Sequence, residues 1–229
     1  MTATLQVFYN TVRRRRADAA LAVCRGPCLA RHVGVCRHVR RGGDPSAERL
    51  VLVGLLDKLS PLLRTAVPEP VRVSEEDSQA ICAPVSGQVM ALEEVDDPAF
   101  SQGMLGRGFG IVTEGDVAFS PVSGTVMADV KTGHALLIRA DSGAEVLLHV
   151  GLDSVRLNGS GFRTFAHKGD HVRAGQPLIA FDRRLMADRG LDDTVVVTVT
   201  NAEDLSHVED RAAAGDEVAA GAVVMRAER

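Results

Sequence analysis

Two short motifs each occur twice in this chain. Residues 83–92, APVSGQVMAL, return as SPVSGTVMAD at 120–129, and GDHVRAGQPL at 169–178 returns as GDEVAAGAVV at 215–224. In each copy a Pro-x-Ser-Gly turn feeds one apolar strand and a Gly-Asp-x-Val-x-x-Gly turn feeds another. A half of that size cannot bury its own apolar face, so the duplicated halves must close on each other. The pattern therefore predicts a mostly β fold: an antiparallel β-sandwich or barrel with internal duplication and few short helices. From Cys82 onward, apolar runs punctuated by Gly, Pro, Asp and Ser agree with it. Within that part, helical signals are confined to residues 182–190, with Asp182 as N-cap and Gly190 past the end, and to 201–208 and 96–103. GRGFG at 106–110 has no helix pattern after it and reads as a tight turn rather than a phosphate cradle.

The part before Cys82 has a different character. Residues 1–52 carry ten Arg against Asp18, Asp44 and Glu48, a balance of +7 within a chain of net charge −4, so residues 53–229 carry −11. That acidic body excludes a nucleic-acid footprint. The Arg-rich start resembles a targeting peptide in composition, but GPC and GGDP interrupt any long amphipathic helix. The reading preferred for 1–52 is a disordered or non-native extension, translated from upstream of a start at Val53. Cys24, Cys28, Cys36, His32 and His38 crowd into it without a second CxxC knuckle, a weak zinc signal. Residues 53–78 comprise a short amphipathic helix within LVGLLDKLSPLL, limited by Pro61, and a polar linker, PEPVRVSEEDSQ. That helix suits either packing on the body or peripheral membrane contact. Residues 79–229 form the β domain. No apolar run approaches the ~18 residues needed to span a bilayer, and Cys82 alone in the acidic part suits a reducing cytoplasm.

Chemistry concentrates in HALLIRADSGAEVLLHVGLDSVRLNGSG, residues 134–161. HALLIRA and AEVLLHV read as strands of one hairpin turning at Asp141-Ser142-Gly143, with His134 and His149 at its open end. An even-numbered loop would set the histidines opposite each other, Cβ atoms roughly 4.5–5.5 Å apart. A three-residue loop centred on Ser142 would send them to opposite faces. Paired imidazoles can hold a metal, though two ligands are too few for a closed zinc site. They can do acid–base work, although no nucleophile or carboxylate dyad accompanies them. One can also accept a phosphoryl group while the other steadies its oxygens. The common hydrolase, nucleotide-binding and HExxH signatures are absent.

Residues 81–226 resemble the glucose-family enzyme IIA domain of the bacterial sugar phosphotransferase system. LLHVGLDSVRLNGSGF, 147–162, is similar to that family's phosphohistidine motif, and KTGHA, 131–135, to its second-histidine segment. DDPAFSQGMLGRGFGI, GDHVRAGQPLIAFD and TVVVTVTN fall where the family has similar stretches. The resemblance implies a β-sandwich in which His149 is the phosphoryl acceptor, His134 assists and Thr132 hydrogen-bonds His134. It implies a relay from the histidine-containing phosphocarrier protein to a cysteine of an enzyme IIB domain, with other regulatory targets open. It implies a docking rim of Phe100, Met104, Leu147 and Val155 with Asp153 at its edge. Leu136, Leu147 and Val150 stand where aromatic residues are common in some relatives. No cofactor is required, although an intermolecular zinc ion on His134 and His149 is allowed if a partner supplies a ligand. The expected location is the cytoplasm.

Two other classes share features of the chain. A biotinyl or lipoyl carrier uses a similar GDxVxxGQ turn, but it displays a lysine between methionines, and the sole candidate, Lys131, lacks them. A duplicated-sandwich zinc peptidase needs an HxH pair, which the sequence does not contain.

Overall fold

In the computed structural model, the described residues are 66–74 and 77–229. The expected extension 1–52 and the amphipathic stretch 52–63 lie outside them. The described residues form fourteen strands: β1 (Ala80–Cys82), β2 (Gly87–Ala91), β3 (Arg107–Thr113), β4 (Val117–Phe119), β5 (Gly124–Asp129), β6 (Ala135–Ala140), β7 (Glu145–Val150), β8 (Phe162–Thr164), β9 (His171–Val172), β10 (Pro177–Phe181), β11 (Val195–Val199), β12 (His207–Asp210), β13 (Glu217–Val218) and β14 (Val223–Glu228). All pairings are antiparallel. An eight-stranded sheet runs β13-β2-β3-β11-β7-β6-β5-β9, and two three-stranded sheets run β1-β14-β12 and β4-β10-β8.

The predicted duplication is realised contact by contact. Gly87 pairs with Val218 as Gly124 pairs with Val172. The Ala220 amide donates to Ser86 Oγ at 3.0 Å, and the Ala174 amide to Ser123 Oγ at 3.0 Å. Between the halves, Cys82 N donates to the Pro121 carbonyl and Phe119 N to the Pro84 carbonyl, both at 2.8 Å. Each half thus completes the other's ladder, and both line one apolar core that includes Ile81, Ile111, Ile138, Leu148, Ile179, Phe181 and Met225. The large sheet's strand order is correspondingly palindromic, with its halves meeting where β11 pairs with β7.

Among the described residues helix is scarce, as expected. Helix α1 (Pro98–Ser101) is capped by Asp97, whose carboxylate accepts from Ala99 N at 2.8 Å. Helix α2 (Arg183–Asp188) is capped by Asp182, which accepts from the amides of Arg184 and Leu185. Residues 201–208 make only one 3-10 turn, Ala202–Asp204, before the chain enters β12. The GRGFG expectation is corrected: Gly106 precedes β3 and the other four residues lie in it, paired between β2 and β11, and glycine is needed at 108 because a Cβ there would strike the Val197 carbonyl of β11.

The polar stretch before the domain is pinned down. Val71 N donates to the Gly175 carbonyl and Ser74 N to the Gly221 carbonyl, both at 2.9 Å, and Ser74 Oγ accepts from Val223 N at 3.1 Å. Gly175 and Gly221 are equivalent residues of the two Gly-Asp repeats, with φ of 79° and 88°. A Cβ on either would collide with the strap, at the Val71 or the Arg72 carbonyl. Residues 71–74 therefore span both copies of one turn.

Candidate phosphoryl-transfer site

The hairpin β6–β7 turns through the three-residue loop. Ala140 N donates to Ala144 O, Gly143 has φ of 91°, and Ala135 pairs with His149. In β7, Val146, Leu148 and Val150 face the core, while Leu147 and His149 take the opposite face. Strict alternation would then place His134 on the core side. It escapes that constraint because it precedes β6, in the turn after Gly133. Its carbonyl still accepts from Val150 N at 2.8 Å, but its ring meets that of His149, centroids 4.9 Å apart and planes at 71°.

Thr132, two residues earlier, places Oγ1 2.8 Å from His134 Nδ1. His134 is 1% exposed, and burial, reinforced by neighbouring His149, pulls its pKa down to about 3. His149 is half-buried as a residue, with Nδ1 inside. Burial lowers its pKa to about 4, opposed by a hydrogen bond with the Gly151 backbone that favours the charged ring, the sign expected of a carbonyl acceptor. At neutral pH both rings are uncharged, the form in which an imidazole nitrogen keeps a lone pair.

Around the pair, Phe100 in α1 presents its ring to His149, centroids 5.3 Å apart at 66°. Phe100 and Leu147 are buried, Val155 is half-buried and Met104 is exposed. Of the residues expected at the rim, Phe100 is the one whose ring contacts the pair, and Met104 is the one whose side chain is exposed. Asp153 adopts a left-handed conformation, φ 52°, immediately before the 3-10 turn Ser154–Leu157. Sequence reasoning did not single out Phe162, whose ring lies 6.2 Å from that of His134. Its place at the end of the phosphohistidine-like motif gave no sign of that contact. Among the described residues no group of three or more His, Cys, Asp or Glu could hold a metal ion, so zinc would need a ligand from outside them. The cysteine cluster at 24–36 lies beyond the described residues.

Duplication supplies an image of this site without its chemistry. Gly108 pairs with Thr198 across β3 and β11 as Ala135 pairs with His149 across β6 and β7. The preceding residues are Arg107 and His134, so Arg107 and Thr198 occupy the image of the two histidines. Thr198 is fully buried, and its hydroxyl has no hydrogen-bond partner among the described residues.

The duplicated β-sandwich thus brings two neutral imidazoles into edge-to-face contact, one of them steadied by a threonine, an arrangement chemically able to take up and steady a phosphoryl group. The family profile described as phosphoenolpyruvate-dependent sugar phosphotransferase system, EIIA 1, matches residues 79–205, and the chain belongs to that family. It is 38% identical over 133 residues to the PTS system glucose-specific EIIA component of Staphylococcus epidermidis, covering 57% of this chain and 80% of that protein. It is 42% identical over 134 residues to the PTS system beta-glucoside-specific EIIBCA component of Bacillus subtilis, covering 58% of this chain and 22% of that protein. The chain spans about a fifth of the length of the EIIBCA relatives and of a lactose permease it matches. The glucose permease IIA from Mycoplasma capricolum has the same fold, with a TM-score of 0.56 and 34% identity, covering 64% of this chain and 93% of that one. No helix among the described residues is long and apolar enough to cross a membrane.

Proposed function

We propose that this chain is a phosphohistidine carrier in sugar uptake, accepting a phosphoryl group on His149 and releasing it to a sugar-specific partner. The contact between two neutral imidazoles, in a chain of the EIIA family, carries the reading. Nδ1 of His149 is enclosed within the fold, so Nε2 is the attacking nitrogen. Its lone pair forms the new P–N bond as the donor's P–N bond breaks, and the donor imidazole leaves with the electron pair. The Thr132 hydroxyl donates to Nδ1 of His134, which leaves Nε2–H of His134 to donate to a phosphoryl oxygen.

The donor is the histidine-containing phosphocarrier protein, and the acceptor is a cysteine of an enzyme IIB domain. The names of the EIIBCA relatives support the latter. Phe100, Leu147, Val155 and Met104 form the apolar patch on which each partner docks in turn, with Asp153 at its margin. No cofactor enters the step. A zinc ion fits the two imidazoles only where a partner completes its coordination. Neither the lipoyl-type carrier, with Lys131, nor the zinc peptidase is favoured by the family match.

The test is acid-labile phosphate incorporation with enzyme I, the phosphocarrier and phosphoenolpyruvate, followed by a chase with a IIB domain. His149→Ala should abolish incorporation. His134→Gln should still take up phosphate, its amide replacing one hydrogen bond, and should pass it on about 10²–10³ more slowly, the usual cost of losing a preorganised donor. Uptake by His149→Ala together with none by His134→Gln would reverse the roles.

A further inference from the structure

Phe100, His149, His134 and Phe162 form a row of four rings, successive centroids 5.3, 4.9 and 6.2 Å apart and planes at 66°, 71° and 61°. The chain has only seven Phe, one Tyr and no Trp, so an aromatic at each end of the imidazole pair is an uneven use of scarce rings. Phe100 lies against the ring that receives the phosphoryl group, within the docking patch. Phe162 lies against the other, and the docking patch does not account for it.

Its placement is fixed independently of the histidines. Phe162 opens β8, pairs with Phe181 of β10, and donates its amide to the Gly159 carbonyl at 3.3 Å. Its Cβ lies 3.5 Å from where a side chain on Gly133 would begin, which sets it against the turn that carries His134. The buried His134 ring therefore has the Thr132 hydroxyl on Nδ1, the His149 ring as one aromatic neighbour and the Phe162 ring as another. Removing Phe162 would leave a gap beside an imidazole that already has a hydroxyl and a second imidazole next to it, a polar setting that admits water.

We propose that Phe162 is a positioning residue for phosphoryl transfer: its ring walls His134 from solvent and holds that imidazole at the angle from which it donates to the phosphoryl group on His149. This rests on the roles given above to the two histidines. A hydrogen bond to developing charge is stronger where water is excluded, and a ring held in place loses nothing to reorganisation during transfer. The wall therefore acts on the step His134 assists and leaves the attacking nitrogen of His149 in place.

The measurement compares the full-length wild-type chain with Phe162→Ala and Phe162→Leu, by imidazole NMR titration of His134 and by single-turnover uptake and chase. In Phe162→Ala, the His134 midpoint should rise toward the ordinary histidine value near 6.5. Uptake onto His149 should stay within about twofold of wild type, while onward transfer falls about tenfold. Phe162→Leu, which keeps an apolar wall, should restore most of both and keeps the comparison available if the alanine variant does not fold. An unshifted His134 titration with unaltered transfer in both variants would overturn the proposal, as would a loss of thermal stability alone. If the wild type takes no phosphate on His149, the reading of the site fails instead. The titration, which needs no phosphoryl chemistry, still reports whether Phe162 shields the ring.

Discussion

His134 and His149 are held neutral by burial, and this links the site to stability. In the fold their pKa values are depressed to about 3 and about 4, whereas in the unfolded chain each protonates near 6.5. Between those limits the unfolded state binds more protons than the native one, so stability falls as pH drops below about 6.5 and the loss flattens only near pH 3–4. Urea unfolding across pH 7 to 4 should show this acid limb, and it should be shallower in His134→Gln and in His149→Gln. An unchanged limb in both variants would place the acid sensitivity elsewhere. The sequence made the two histidines conspicuous, and the resemblance assigned Thr132 to His134. It did not reveal that His134 lies outside its strand. That single fact lets a three-residue loop, whose register would separate the rings on regular strands, still bring them together.

The duplicated turns were legible because each repeats a Gly-Asp-x-Val-x-x-Gly string, and turn chemistry is local. What they hold was not: residues 68–79 read as a linker, yet 71–74 are strapped to the carbonyls of Gly175 and Gly221. Gly215 separates the two effects, since it also has positive φ, 94°, but a Cβ added there would meet nothing within 4 Å. Gly215→Ala should cost about 1–2 kcal/mol, the penalty of left-handed backbone alone. Gly175→Ala and Gly221→Ala should cost more, toward the upper end of the ~0.5–3 kcal/mol usual for destabilising substitutions, and should also lift the strap. Hydrogen exchange at Val71 and Ser74 is the check: faster exchange in the Gly175 and Gly221 variants, unchanged in Gly215→Ala. GRGFG was misread for a related reason, because Gly106 and Gly108 answer to the neighbouring β11 backbone, a contact no local pattern encodes.

At the largest scale, across the described residues, two copies of one half-domain make a β-sandwich in which one copy carries the histidine pair and the other does not. The repeats made the sandwich readable from sequence. The image positions Arg107 and Thr198, however, emerge only from the strand pairings, since the sequence around them retains no visible likeness to that around the histidines. A protein duplicated in this way could in principle take two phosphoryl groups, but neither a guanidinium nor a buried hydroxyl offers an imidazole's nucleophile. The full chain should therefore accept one acid-labile phosphoryl group per molecule, and Thr198→Val should accept as much as wild type. The most direct measurement is the position of that group after phosphorylation by enzyme I, the phosphocarrier and phosphoenolpyruvate, read by intact mass, peptide mapping at alkaline pH and imidazole NMR. The expected result is a single phosphate on Nε2 of His149, whereas phosphate on His134, on Nδ1 of His149, or on two residues at once would contradict it.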